Sequence, residues 1–164
     1  MKDWQRLLLA AFTAIILDGL TKLLAVQTLT PYQPVPVIGP VVRLTLGYNT
    51  GVAFSLFTNT GWWPALLSGA IIVGLLAWAV RALHSGELPS IAAWPVGFIV
   101  GGALANLINR LIAGQVVDFI DIGLDRLRWP AFNLADSFIV VSIIWLIFIR
   151  AKPSTDDSQT GEPE

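Results

Sequence analysis

Four apolar runs separated by polar segments dominate the pattern of hydrophobic and polar positions along this chain. They cover about residues 7–26, 63–80, 91–112 and 132–149. Roughly 20 helical residues cross the hydrocarbon core of a bilayer, so each run predicts one transmembrane helix. The first run could also be a signal peptide. However, Asp18 and Lys22 fall inside it and no A-x-A cleavage site follows.

The connections between the runs differ in character. Residues 28–61 contain four prolines, which break helices, and VVRLTL at 41–46 has the alternation of a strand. An Asn-Thr-Gly turn signal follows at 49–51, and we expect the apolar stretch after it to lie on the membrane as a surface helix. Residues 113–130 have the composition of a polar loop. The predicted fold class is an all-α integral membrane protein with four transmembrane helices, a small external β-sheet and a membrane-surface helix.

The composition supports this class. Of 164 residues, 55% are hydrophobic and 13% charged, whereas about a quarter of the residues of a soluble domain are charged. Mean hydropathy is +0.70. The net charge of −1 gives no reason to expect a nucleic-acid partner. We predict one membrane-embedded domain over residues 1–152 and a disordered acidic tail over 153–164.

Basic residues predict the orientation, because they concentrate on the cytoplasmic side of membrane proteins. With the N-terminus inside, five basic residues flank the inner ends of the runs and three lie in the outer segments. The inner set is Lys2, Arg6, Arg81, Arg150 and Lys152, and the outer set is Arg43, Arg126 and Arg128. Both termini are then cytoplasmic, and segments 28–61 and 113–130 are external.

The residue types present limit the chemistry. There is no cysteine, and the single histidine, His84, lies in a short polar connection. A Ser-His or Cys-His nucleophile is therefore excluded, and a zinc site is not expected. Carboxylates or a Ser-Lys pair remain. Ser55 and Lys22 could form such a pair, but Asp18 lies one helical turn from Lys22 and would favour its charged form.

Two acids, Asp118 and Asp136, lie at the outer edges of the third and fourth runs. Ionisable groups at such places mark functional sites by default. Two carboxylates brought close together share one proton, which is the arrangement of aspartic proteases. Asn106, Asn109 and Arg110 form one polar helix face beside them, and Asn133 and Asp136 form another. Hydrogen bonding between helices is the alternative explanation of these faces.

The other charged residues have simpler interpretations. Asp18 and Lys22 are four residues apart, so we expect an ion pair near the membrane surface, with Lys22 extending toward water. Asp121 and Asp125 lie near Arg126 and Arg128 in the predicted outer loop. We interpret these two acids as solvated or loop-ordering ions.

Five sequence blocks occur in order over residues 17–137. They are Leu17-Asp18 with Lys22, Asn49 to Ser55 (NTGVAFS), Gly101 to Arg110 (GGALANLINR), Val116 to Phe119 (VVDF) and Phe132 to Asp136 (FNLAD). Together they closely resemble lipoprotein signal peptidase, the signal peptidase II family. Its members are bacterial inner-membrane aspartyl proteases. They cut prolipoproteins before a diacylglyceryl-modified cysteine and are inhibited by globomycin.

The resemblance implies roles for individual positions. The catalytic pair would be Asp118 and Asp136, and Asp18 with Lys22 would order the site. Substrate-binding positions would be Asn49, Gly51, Asn106, Arg110, Asn133 and Ala135. No metal or cofactor is implied. The implied partners are a lipidated prolipoprotein, membrane lipids and globomycin, and we expect a monomer in the inner membrane with its active site on the periplasmic side.

Two positions depart from the family pattern: Ala105 replaces a glycine and Asn109 replaces an aspartate. Ala105 adds a methyl group where helices pack closely. Asn109 removes a charge beside Arg110, so we expect activity with a shifted pH optimum. The alternatives are an inactive relative of the family and a non-catalytic four-span membrane protein.

Overall fold

The computed structural model describes residues 1–51 and 62–150. The elements in these residues are α1 (Asp3–Thr28), β1 (Val35–Ile38), β2 (Val42–Asn49), α2 (Trp63–His84), a short 3-10 helix (Ser90–Ala92), α3 (Ala93–Ala113), β3 (Val116–Leu124), β4 (Leu127–Arg128) and α4 (Leu134–Arg150). The predicted surface helix after Gly51 and the predicted tail 153–164 lie outside the described residues.

Each predicted apolar run forms a helix. Three helical segments are long and apolar enough to cross a membrane: Asp3–Thr28, Trp63–His84 and Ser90–Ala113. The fourth, Leu134–Ile149, is a shorter apolar helix. Large apolar side chains such as Phe12 and Phe148 are exposed on these helices, as expected where lipid replaces water. The chain is thus a membrane protein, and a fourth crossing stays a prediction.

Glycines on α3 let the neighbouring helices approach closely. A Cβ at Gly97 would lie 2.4 Å from the Leu7 carbonyl oxygen, and one at Gly101 would lie 2.4 Å from that of Ala11. A Cβ at Gly102 would lie 2.6 Å from the carbonyl oxygen of Ala135 on α4. Small residues that allow backbone contact are a common basis of helix association in lipid. They place α3 between α1 and α4.

The four strands form one antiparallel sheet in the order β1-β2-β3-β4. The sequence prediction of a strand at 41–46 is confirmed by β2, but the prediction of a polar loop over 113–130 is wrong, because β3 and β4 lie there. The acids in VVDFIDIGL suggested a loop. However, Val116 and Phe119 are buried, and pairing with β2 satisfies the backbone. The predicted small sheet is therefore present, and it has two further strands in the segment predicted as a loop.

The sheet is attached to the helices at two places. Leu46 and Phe119 pack with Ala25 near the end of α1 in one buried cluster. Gly114 ends α3 at φ 69°, a left-handed conformation that glycine adopts without steric cost. This turn directs the chain from α3 straight into β3. The two attachments fix where Asp118 lies relative to the helix ends.

Asp121 does not behave as a solvated ion, although it does order this segment. It is buried, and its carboxylate binds Arg43 of β2 at 2.7 Å and also Arg128 of β4. Burial acts to raise its pKa, but hydrogen bonds from Arg128, Arg43 and Thr45 hold the pKa of Asp121 below its usual value. Asp125 is exposed in the turn between β3 and β4. Asp121 thus joins three strands.

We expect Gly101→Ala to destabilise the protein by about 1–3 kcal/mol, because its new methyl group would meet the backbone of Ala11. Gly74→Ala on α2 is the matched control, since a Cβ there meets nothing within 4 Å. Thermal unfolding in detergent measures both. Equal melting temperatures for Gly101→Ala and the wild type would contradict the close packing of α1 on α3.

Candidate active site

The first turn of α4 is held by a reciprocal pair of hydrogen bonds between Asn133 and Asp136. The Asp136 N–H donates to Asn133 Oδ1 at 3.0 Å, and the Asn133 N–H donates to Asp136 Oδ2 at 3.1 Å. This is a capping box, in which the two residues satisfy each other's free backbone donors. The sequence placed both residues inside a span, whereas the helix begins only after Asn133. The cap fixes the position of the Asp136 carboxylate.

Asn133 also binds the second acid. Its side chain is fully buried, and its Nδ2 donates to Asp118 Oδ1 at 2.7 Å. From the other side, Asn49 Nδ2 of β2 donates to Asp118 Oδ2 at 3.2 Å. Asn133 is therefore in contact with both acids, Asp118 through its side chain and Asp136 through its backbone.

A buried network of hydrogen bonds links Asp136 to an ion pair on α1. Asp18 and Lys22 form an ion pair of 2.7 Å, with side chains 1% and 5% exposed. Lys22 Nζ donates to Asn106 Oδ1 at 2.7 Å, and Asn106 Nδ2 donates to Asp136 Oδ1 at 2.8 Å. The predicted ion pair is present, but the expectation that Lys22 extends toward water is wrong, because its ammonium group is bound inside the protein.

The same network of hydrogen bonds also includes Ala135 of α4. Its N–H donates to Asp18 Oδ1 at 2.9 Å, so Asp18 satisfies a further free donor at the start of the helix. A carboxylate is also favoured near the positive end of a helix dipole. The ion pair of α1 is thus tied to α3 through Asn106 and to α4 through Ala135.

Asp118 and Asp136 line one cavity of about 320 Å³. Asn49, Asn106 and Arg110 also line it, together with apolar residues of α4. The lining residues that the sequence did not single out include Trp129, Ile139 and Val140. In an apolar helix, nothing in the residue types distinguishes a cavity wall from a lipid-facing surface.

The remaining predicted positions lie around this cavity and not in its walls. Asn133 and Ala135 are fully buried behind it. The Gly51 N–H donates to Asn49 Oδ1 at 2.9 Å, and the Gly51 carbonyl accepts a hydrogen bond from Arg110 at 2.9 Å. The substrate-binding roles of these residues stay predictions.

The two positions that depart from the family pattern both lie on α3. Ala105 is buried, while Asn109 is half-buried. Asn109 Oδ1 and Arg110 Nε are both buried, and neither has a hydrogen-bond partner among the described residues. Among the described residues, Arg110 Nε thus has no carboxylate partner.

The environment of Asp118 favours its protonated form. Burial raises its pKa from 3.8 to about 6, and the charge of Asp136 acts in the same direction. Hydrogen bonds from Asn49 and Asn133 oppose this shift. A carboxyl group that titrates near neutral pH beside a second one can hold a proton while its neighbour is ionised. Across residues 1–51 and 62–150, no three acidic or histidine side chains converge as metal ligands would.

Comparison with known proteins identifies the family. The family model described as signal peptidase (SPase) II matches residues 10–151 of this chain. The chain belongs to the signal peptidase II family. The resemblance inferred from the five sequence blocks is confirmed, and with it the enzyme class: signal peptidase II is a protease.

Curated relatives support this membership. The lipoprotein signal peptidase of Mycobacterium avium is 41% identical over 153 residues, covering 88% of this chain and 78% of the relative. That of Cyanothece sp. is 42% identical over 149 residues, covering 87% and 82%. That of Xanthomonas axonopodis pv. citri is 37% identical over 157 residues, covering 94% and 90%.

Solved structures show the same fold. A bacterial membrane enzyme solved by the in meso method at 2.3 Å resolution matches with a TM-score of 0.76 at 23% identity, covering 96% of this chain and 94% of that one. A second, at 1.9 Å resolution, matches with a TM-score of 0.73 at 26% identity, covering 90% and 94%. The arrangement of helices and sheet is therefore that of known membrane enzymes.

We expect Lys22→Met to destabilise the protein by about 3–5 kcal/mol, because it leaves the buried Asp18 carboxylate without its cationic partner. The double variant Asp18→Asn, Lys22→Met should lose clearly less unfolding free energy than the sum of the losses in the two single variants. Unfolding in detergent, followed for all four proteins, gives the coupling. Additive losses would show that the ion pair is energetically unimportant.

The raised pKa of Asp118 predicts a pH-dependent stability. Between about pH 4 and 6 the folded state keeps a proton that the unfolded state has lost. The contribution of Asp118 to the free energy of unfolding therefore falls as the pH rises through that window and then stays level. Asp118→Asn should flatten the profile and be more stable than wild type above pH 6, by about 3 kcal/mol at most. Melting curves from pH 4 to 8 test this, and parallel profiles would contradict it.

Proposed function

We propose that this protein is an aspartyl endopeptidase that removes the signal peptide from diacylglyceryl-modified prolipoproteins, cleaving before the lipidated cysteine. The observation that carries the proposal is the placement of Asp118 and Asp136 in one cavity, both bound by Asn133. Membership of the signal peptidase II family supports the substrate class.

The reaction needs only water and the two carboxyl groups. The ionised aspartate takes a proton from a water molecule, whose oxygen attacks the carbonyl carbon of the scissile amide. The protonated aspartate gives its proton to the carbonyl oxygen. When the C–N bond breaks, the cysteine nitrogen takes the proton that the first aspartate removed from water and leaves as the amine. The second aspartate takes back the proton from the former carbonyl oxygen, which restores both carboxyl groups to their starting states. The raised pKa of Asp118 suits the group that holds the proton first.

The surrounding residues position these groups. Asn106 and Asn133 hold the carboxylates by hydrogen bonds, and Asp18 with Lys22 holds Asn106. Arg110 lines the cavity, where its positive charge can interact with polarised substrate carbonyl groups. We assign substrate binding to the set Asn49, Gly51, Asn106, Arg110, Asn133 and Ala135, with no metal or organic cofactor.

The membrane location follows the same logic. We place the protein in the bacterial inner membrane with four crossings, both termini in the cytoplasm and the acids at the periplasmic side, as the distribution of basic residues indicates. A lipidated cysteine is anchored at the membrane surface, so its scissile bond lies near the helix ends. We expect a monomer, and we expect globomycin to bind the cavity that contains the acids.

A serine-lysine mechanism has less support. Its nucleophile, Ser55, lies outside the described residues. Its base would be Lys22, but this ammonium group is bound by both Asp18 and Asn106. A general base has to accept the serine proton on its nitrogen, whereas the Lys22 nitrogen donates to Asp18 and Asn106.

Asp118→Asn and Asp136→Asn should each lower the rate of prolipoprotein cleavage by at least about a hundredfold, because each removes a proton-transfer group. Asp125→Asn is the matched control, since Asp125 is exposed in the turn after β3. A gel-shift assay with purified, lipidated prolipoprotein measures the rates, and melting temperatures check that the variants fold.

Other results would separate the alternatives. Cleavage at the wild-type rate by either dyad variant would show that the assignment is wrong. A wild-type protein that binds globomycin in a thermal-shift assay but cleaves nothing would be an inactive relative. A protein that neither binds globomycin nor cleaves would favour a non-catalytic membrane protein.

A further inference from the structure

A glycine in the middle of β2 lies opposite one of the two acids. Gly47 pairs with Asp118 across the sheet. Glycine weakens a strand, and an isolated one often marks a bulge or a place where a ligand or another backbone comes close. The pairing of β2 with β3 is irregular between Leu44 and Gly47, but Gly47 does not have the positive φ that would require glycine there. A side chain at Gly47 would meet only the Asp118 carbonyl oxygen, at 3.8 Å, which is ordinary contact. No described neighbour therefore requires glycine at this position.

Gly123 in the same sheet shows the contrast. A Cβ there would lie 2.4 Å from the Leu127 carbonyl oxygen and 2.5 Å from Arg128 Cα, so packing in the hairpin requires glycine. At Gly47, no described residue makes such a contact. The space that Gly47 leaves is open in the described structure and borders directly on the strand that carries Asp118.

That space belongs to a second cavity of about 340 Å³. Gly47, Thr45, Tyr32 and Pro130 contribute to its lining. It shares four lining residues with the cavity that contains both acids: Asn49, Asp118, Pro130 and Ala131. Asp118 therefore lies where the two cavities meet. The first is walled partly by α3 and α4, whereas the described lining of the second comes only from the sheet and the segments joined to it.

Tyr32 lines the second cavity with an unusual backbone conformation. Its φ is 60°, in the left-handed region, and its N–H donates to the Leu46 carbonyl oxygen at 2.9 Å. Tyr32 is 70% exposed, so packing among the described residues does not explain why an aromatic ring occurs at this position. Such strain in a non-glycine residue often accompanies a functional role. Glycine would fit this conformation better, so the tyrosine points to a use for the ring.

The chemistry of the substrate decides which part lies in each cavity. A signal peptide is apolar and remains in the membrane, so it belongs on the side of the first cavity, where Ile139 and Val140 of α4 form the wall. The mature chain has to leave toward water. The second cavity is bordered by the sheet and adjoins the first at Asp118, so the mature chain can leave along it.

Building on the proposed function, we propose that the second cavity receives the substrate residue that directly follows the lipidated cysteine. Gly47 limits the size of the side chain accepted there, and Tyr32 contacts the chain as it leaves. Both are specificity-determining residues, which act on substrate choice without taking part in proton transfer.

The test compares prolipoprotein substrates that differ only in the residue after the cysteine, with glycine or tryptophan there. Gly47→Ala and Gly47→Val add bulk in two steps. We expect Gly47→Val to lower kcat/KM for the tryptophan substrate at least about tenfold more than for the glycine substrate, with Gly47→Ala in between. Gly74→Val on α2, where a Cβ meets nothing within 4 Å, is the matched control and should change neither.

Tyr32→Gly tests the ring without adding strain, because glycine accepts a φ of 60°. We expect it to raise KM several-fold for the tryptophan substrate with little change in melting temperature, while Tyr32→Phe keeps most of the wild-type value. A loss of stability in Tyr32→Gly with unchanged KM would show that the ring is only structural.

Other outcomes separate this inference from the proposed function. If wild type cleaves both substrates and Gly47→Val slows both equally, or neither, the size limit at Gly47 is overturned while the peptidase function stands. If wild type cleaves neither, the proposed function fails and the subsite fails with it.

Discussion

The N-terminal cap of α4 is the interaction on which the site depends. A helix start leaves backbone N–H groups without partners, and here Asp136 and Asp18 accept two of them. Asn133 completes the cap and at the same time binds Asp118. A routine requirement of helix ends thus aligns one acid by a backbone contact and the other by a side-chain contact.

A buried polar network at the end of apolar helices is favourable only if its groups find partners. Around the acids this condition is met, since Lys22, Asn106 and Asn133 each bind at least two groups. It is not met at Asn109 Oδ1 and Arg110 Nε within the described residues. The departure from the family pattern therefore falls at the one place where the network lacks partners, beside an arginine that lines the cavity.

The sheet brings Asp118 to the acid that the helices hold. Its inner part packs on the end of α1 through Leu46 and Phe119, and its outer part is joined by Asp121 with Arg43 and Arg128. Beyond the inner part, on the side away from Asp121, Gly47 pairs with Asp118, and both residues line the second cavity.

Much of this could be predicted from the sequence alone. Apolar runs of bilayer length indicated the four helices, because lipid requires continuous apolar surface and internal backbone pairing. The spacing of Asp18 and Lys22 indicated their ion pair, and the clustering of acids and amides at one edge indicated the site. Such features depend on residue types at short separations. They are visible without knowledge of which segments meet.

Other features were decided by tertiary structure. Residues 116–124 became a strand because β2 offers a partner for their backbone and α1 covers their apolar side chains. Lys22 is buried because Asn106, which lies 84 positions away in the chain, accepts a hydrogen bond from its ammonium group. Asn133 became a cap that binds both acids because α4 starts only after it. In each case the deciding contact joins residues distant in the chain or depends on a helix boundary, which local pattern does not determine.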